Sequence, residues 1–173
     1  MGASDVLIWR DGPRPDDAWV ALAEDEELVR GRAIVVPLRR FLAAPENFLI
    51  HDGPLGVCVE AGESIARLAV YLLRLQLIAL AFPVFSDGRN YSTARLLRDH
   101  YGYTGELRAT GDVLADQIPL MRRCGIDSYT VSNGPTKQAL LSGSLAEMRH
   151  YYQPASAHDV PAGTRPWLRR PAA

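Results

Sequence analysis

Residues 77–82 read Leu-Ile-Ala-Leu-Ala-Phe, an uninterrupted apolar run of strand length. A strand solvated on one face alternates apolar with polar residues, whereas a strand covered on both faces does not. The run therefore predicts a doubly buried strand, as in the parallel sheet of an α/β protein. It sits inside a longer, nearly apolar stretch from Ile65 to Phe85, just long enough to span a bilayer. Arg67, Tyr71 and Arg74 interrupt that stretch at helical spacing, and Gln76 follows. An arginine near a helix centre costs about 2.5–3.5 kcal/mol on membrane-insertion scales. The stretch is thus a helix followed by a strand, with no membrane span.

Working outward, the same strand–helix rhythm recurs. Val57-Cys58-Val59 leads through Ala61-Gly62-Glu63-Ser64 into the helix just described. After the apolar run, Ser86-Asp87-Gly88-Arg89-Asn90-Tyr91 enters a helix on which Leu96/His100 and Leu97/Tyr101 are four-residue neighbours, with Gly102 as its stop. A third strand, Glu106 to Thr110, leads to a helix capped by Asp112, with Leu114, Ile118 and Met121 on one face and Gly125 beyond its end. Pro119 conflicts with that helix, since an internal proline costs about 3 kcal/mol and must kink or shorten it. The fourth strand, Ser128 to Val131, precedes Asn133-Gly134-Pro135, which opens a helix with Leu141, Leu145, Met148 and Tyr152 on one stripe and Gly143 in its middle.

Four such units imply an α/β fold with a mostly parallel sheet, either open or half-barrel-like. Upstream, Val6–Trp9 and Trp19–Leu22 flank the turn-rich residues 11–17 and predict a small strand pair. The acidic run Glu24-Asp25-Glu26-Glu27 reads as solvated, and Ile34–Leu38 as a further strand. The expectation is one α/β domain over 1–153, with an N-terminal strand region (1–50) and repeated units (56–153). The Pro- and Ala-rich residues 154–173 read as a flexible tail.

Composition removes several function classes. Nineteen basic against twenty acidic residues leave a net charge of −1, which supplies no general attraction to nucleic acid or an anionic membrane. The two cysteines, Cys58 and Cys124, are too few for a zinc ribbon, an iron–sulfur site or a Cys-x-x-Cys pair. Residues 1–10 lack a basic segment followed by a long apolar run, so a cytoplasmic setting is expected.

In a parallel α/β sheet, ligands meet the loops at the carboxyl ends of the strands. Glu60, Glu63, Asp87, Arg89, Tyr91, Asp112 and Asn133 fall there. Within the loop 86–92, Gly88 permits close backbone approach and Arg89 offers a planar fork to an oxyanion. The alternative is that Asp87 and Arg89 simply pair with each other. Glu106 and Arg108, two residues apart in a strand, share one face of a sheet that should otherwise be apolar. They form either a structural ion pair or a polar patch facing a pocket. Asp112 and Asp116 stand one helical turn apart, a spacing suited to a cation or a basic partner, although Asp112 also suits a helix cap. His51, His100, His150 and His158 show no ligand spacing, so neither a metal site nor a nucleophile is assigned.

Several segments together carry a family resemblance. They are Phe-x-x-Phe-x-Asp-Gly-Arg at 82–89, Tyr91-Ser92-x-Ala94-Arg95-Leu96-Leu97-Arg98, Gly105-Glu106-Leu107-Arg108-Ala109-x-Gly111-Asp112-Val113-Leu114, Asp116-Gln117, Arg122 to Asp127, and Tyr152-Gln153. The chain resembles domain-of-unknown-function family 934, a bacterial family labelled an oxidoreductase of sulfite reduction because its genes lie beside those of a sirohaem sulfite reductase. The resemblance implies a pathway, and it transfers no catalytic residue. With no flavin, nicotinamide or cluster motif in this chain, no cofactor of its own is expected.

The first reading is an accessory protein that partners the sulfite reductase hemoprotein or its electron donor. The second is a small-molecule enzyme or oxyanion-binding protein using Asp87, Arg89, Glu106, Arg108 and Asp112, which predicts a concave pocket containing these side chains. A third reading is a homo-oligomer in which two copies close a barrel.

Overall fold

The computed structural model describes residues 6–145, which build one mixed, curled sheet of seven strands in half-barrel form. The strands are β1 (Leu7–Trp9), β2 (Val20–Ala21), β3 (Ile34–Pro37), β4 (Leu55–Val59), β5 (Leu77–Phe82), β6 (Glu106–Gly111) and β7 (Ser128–Val131). Across the sheet they run β1-β7-β6-β5-β4-β3-β2. Strands β2 to β7 are therefore neighbours in chain order, and each of these pairs is parallel. β1 alone is antiparallel, pairing Leu7, Ile8 and Trp9 with Val131, Thr130 and Tyr129.

This corrects the expected N-terminal strand pair. Both strands exist, but they lie at opposite edges of the sheet and do not pair with each other: β1 completes a ladder with β7 and β2 with β3. The turn-rich segment 10–19 turns back on β1 through an antiparallel bridge between Trp9 and Pro13, but it does not pair β1 with β2. It crosses one face of the sheet, with Trp19 packed among Val35, Cys58, Leu77 and Ala79.

Sequential parallel strands joined by crossovers of one hand put every helix on the same face. The main core lies on that face. Ile34, Val36, Val57, Val59, Ile78, Leu80, Leu107 and Val131 are fully buried there against Phe41, Leu68, Leu97, Ile118 and Met121 from the crossovers and Leu140 from the helix after β7. The run 77–82 is covered on both sides, as its composition predicts. Ile78, Leu80 and Phe82 face the helices, and Leu77 and Ala79 face segment 10–19; only Ala81 is half-exposed.

The crossovers are shorter and less regular than their patterns suggest. Two short helices, α1 (Leu38–Ala43) and α2 (Pro45–Leu49), join β3 to β4; neither spans enough turns to show a period in the sequence. The helix after β4 is a nine-residue 3₁₀ segment, Ala66–Arg74. After β5, α3 (Arg89–Arg95) runs on as the π turn Leu96–His100, and Gly102 follows at φ +61°.

The Pro119 conflict is resolved by shortening. α4 begins at Ile118 and ends at Arg123, so Pro119 lies in the first turn, where its missing N–H has no intrahelical acceptor to lose. Asp112 is consequently not the cap of that helix; Gln117 stands in the cap position. α5 (Gly134–Ser142) opens as expected, with the Thr136 amide donating to the Asn133 side chain at 2.9 Å. It stops at Gly143, which is left-handed at φ +68°.

The expected stripe on this helix is corrected too. Its buried side carries Thr136 and Leu140, whereas Leu141 is exposed. Met148, Tyr152 and the expected tail lie outside the described residues. No helix among the described residues is long and apolar enough to cross a membrane.

Candidate functional site

Alternation along the strands sends every second residue to the face without helices. On β6 those residues are Glu106, Arg108 and Thr110, with Ser128 beside Arg108 on β7. Arg108 is the centre of the arrangement. Its Nη1 and Nη2 donate to the two carboxylate oxygens of Asp17 at 2.8 and 2.7 Å, a bidentate fork. Its Nε and Nη2 also donate to Glu106 Oε1 at 3.0 and 2.7 Å. The Ser128 hydroxyl donates to the same Glu106 oxygen at 2.5 Å, and Arg10 Nη1 donates to the other at 3.1 Å.

Burial works against both charges here, yet their partners outweigh it. Glu106 is held below its usual range by the Ser128 hydroxyl, Arg108 and Arg10, and Arg108 is held above its own by Asp17 and Glu106. Each charge is stabilised by the other. A hollow of about 370 Å³ opens beside them, walled by Arg10, Arg14, Asp16, Trp19, Glu106 and Arg108.

The second group lies at the carboxyl ends of the strands. Asp87 and Arg89, in the turn between β5 and α3, are paired through Nε–Oδ1 at 2.9 Å and Nη2–Oδ2 at 2.6 Å. The Arg89 side chain holds the Asp87 carboxyl below its usual range. The guanidinium lies against Gly62, at φ +89°, where a Cβ would collide with it. The neighbouring Glu63 pairs with Arg39 at 2.8 Å and accepts the Glu60 amide.

Tyr91 is half-buried with its ring 5.1 Å from that of Phe82, and burial pushes its hydroxyl up to about 12. Gly88, expected to permit close backbone approach, has an ordinary φ of −90° and lies against the Tyr91 ring. Asp112 and Asp116 are exposed beyond β6.

The eight candidate residues thus form two groups rather than one. Asp87, Gly88, Arg89, Tyr91, Asp112 and Asp116 stand at the carboxyl ends. Glu106 starts β6 and Arg108 lies within it, facing segment 10–19. Their shared face follows from a spacing of two and was readable. Asp17 was not, because it lies 91 residues from Arg108 and sits in a stretch whose composition signals only turns.

Asn90 was also missed. Fully buried, it donates to the carbonyls of Val59 and Ala81 at 3.2 and 2.8 Å and so ties α3 to the ends of β4 and β5. Its place inside a polar loop gave no hint of burial.

Among the described residues no group of three or more His, Cys, Asp or Glu side chains is arranged to hold a metal ion. Both thiols are free. Burial, assisted by Glu60 and Glu63, pushes Cys58 up to about 11, and burial raises Cys124 as well. Thiols shifted upward are weak nucleophiles at neutral pH.

Residues 56–163 match the family described as bacterial protein of unknown function (DUF934), and the chain belongs to it. No curated protein and no solved structure matches the chain. The matched region contains Glu106, Arg108 and the whole carboxyl-end group. Asp17 and Arg10 lie before it.

Proposed function

We propose that this DUF934 member is an accessory protein of assimilatory sulfite reduction, within sulfate assimilation and cysteine biosynthesis. It works in the cytoplasm by binding a sirohaem sulfite reductase hemoprotein or its electron donor and supporting its activity or assembly. The pathway comes from the family resemblance. The observation that carries the accessory role is that Glu106, Arg108, Asp87 and Arg89 are committed to ion pairs that keep each of them charged. General acid–base catalysis needs a group that exchanges its proton near the working pH. These four do the opposite and suit a rigid scaffold.

The test is direct. The purified hemoprotein is passed over the immobilised chain, and sulfite turnover is measured with and without it. Association together with raised turnover or raised haem occupancy is expected. No association, joined to unchanged sulfur auxotrophy on gene deletion, would sink the proposal.

The hollow beside Arg108 supports a second reading, a small-molecule or oxyanion site. Its residues differ from those foreseen at the strand ends, since Asp87, Arg89 and Asp112 do not wall it. Thermal-shift titration with sulfite, sulfate and phosphate, with Arg108→Gln as control, tests it. A shift in the wild type that the variant lacks favours this reading, and no shift with any anion removes it.

A further inference from the structure

The 3₁₀ segment Ala66–Arg74 presents to solvent what a crossover helix ordinarily buries. Val70 is 79% and Leu73 101% exposed, and Ile50, at the end of α2, is 83% exposed; no other large apolar residue among those described exceeds these three. They form one ridge. Residues three apart are eclipsed on a 3₁₀ helix, which puts Val70 and Leu73 in line, and Arg74 Nη2 donates to the Leu49 carbonyl at 3.0 Å, which ties this segment to the end of α2 where Ile50 stands.

Arg67 and Arg74 border the ridge. Their partners are backbone carbonyls, Leu42 for Arg67 at 3.2 Å and Leu49 for Arg74, and among the described residues no carboxylate pairs with either guanidinium. A run of nine residues also exceeds the usual 3₁₀ length.

We infer that the ridge Ile50–Val70–Leu73, with Arg67 and Arg74, is a docking surface for a protein that presents an apolar hollow edged by carboxylates. An exposed apolar patch rimmed by polar side chains is the ordinary signature of such a surface. Charge decides the occupant. A second copy in two-fold contact would bring arginines against arginines. A lipid surface takes more apolar area than three side chains supply, and these guanidiniums are tied back to helix-end carbonyls rather than free to follow headgroups. The inference rests on the reading that this chain acts by protein contact, and it names the surface.

The test uses the full chain with the photo-crosslinking residue benzoylphenylalanine at Leu73, expressed in cells, and with the same probe at exposed Leu141 as control. One dominant adduct with another polypeptide, identified by mass spectrometry, is expected from position 73. Arg67→Glu with Arg74→Glu should lower its yield roughly tenfold, an effect on the order expected for interface hot spots. Ile50→Asp with Val70→Ser should lower it similarly. Unchanged circular dichroism and thermal midpoint show which variants are folded, and the second pair keeps the test decisive if the first unfolds.

Yield no greater than at Leu141, insensitivity to both pairs, or adducts chiefly with lipid or with a second copy would overturn the docking surface. An adduct with the sulfite reductase or its donor supports this inference and the proposed function together. An adduct with a different acidic protein keeps the ridge and overturns the sulfite-reduction reading.

Discussion

The two faces of the sheet are built from alternate residues of the same strands, yet they obey different rules. Toward the helices, β6 presents Leu107 and Ala109 and β5 presents Ile78, Leu80 and Phe82, all inside one apolar core. Toward segment 10–19, the same two strands present Glu106, Arg108 and Thr110, and Leu77, Ala79 and Ala81. The first face is closed by five crossovers. Among the described residues the second is covered by a ten-residue strand-to-strand connection, fastened by Asp17 and Trp19. A face with little apolar cover is held by paired charges and small side chains, because burial alone cannot supply its cohesion.

That contrast can be broken by measurement. The largest effect is expected on the helix side, where Leu80→Ala removes a fully buried side chain and should cost about 2–5 kcal/mol in denaturant unfolding. Thr110→Ala, on the other face, should cost about 1 kcal/mol or less, the range of one hydrogen bond. Equal losses would show that the second face is packed as tightly as the first.

Next comes Arg108→Gln, expected to cost about 3 kcal/mol because it removes the buried guanidinium shared by two partly buried carboxylates, Asp17 and Glu106. Adding Asp17→Asn and Glu106→Gln should restore part of that loss. If the added changes lower stability further, the network contributes more than mutual charge compensation.

A smaller effect is carried by pH. Glu106 is held below its ordinary value of 4.5, so its contribution is complete above that value and is lost as pH falls through the lower folded value. Glu106→Gln should therefore flatten the acid limb of a stability–pH profile below pH 4.5 relative to wild type. A profile of unchanged steepness would mean that other carboxylates carry it. The smallest effect is expected from Arg89→Ala, which opens an exposed pair and should leave the thermal midpoint where it was. A marked drop would make the carboxyl-end turn a structural clamp comparable with the Arg108 network.

Much of the fold could be read from local pattern. The run 77–82 announced a doubly covered strand, strand–helix repetition announced the parallel sheet, and Asn133-Gly134-Pro135 marked a helix start at the right place. The shared face of Glu106 and Arg108 needed only the two-residue period of a strand. Pro119 marked its own conflict, and the helix shortened around it.

Other features had no local signature. Val6–Trp9 and Trp19–Leu22 looked like a hairpin because their separation suits one; which edge each strand joins depends on ladder partners more than one hundred residues away for β1. Asp17 became the partner of Arg108 only when segment 10–19 crossed the sheet. The outward turn of Val70 and Leu73 is hidden in composition, because both are apolar residues in an apolar stretch and only the packing of Leu68 and Leu72 against the core shows which side faces out. Short-range periodicity is written in neighbouring residues, so it determined the elements and their faces. Edge choice, ion-pair partners and the exposure of a ridge are set by contacts between distant segments, and these exist only once the chain has folded.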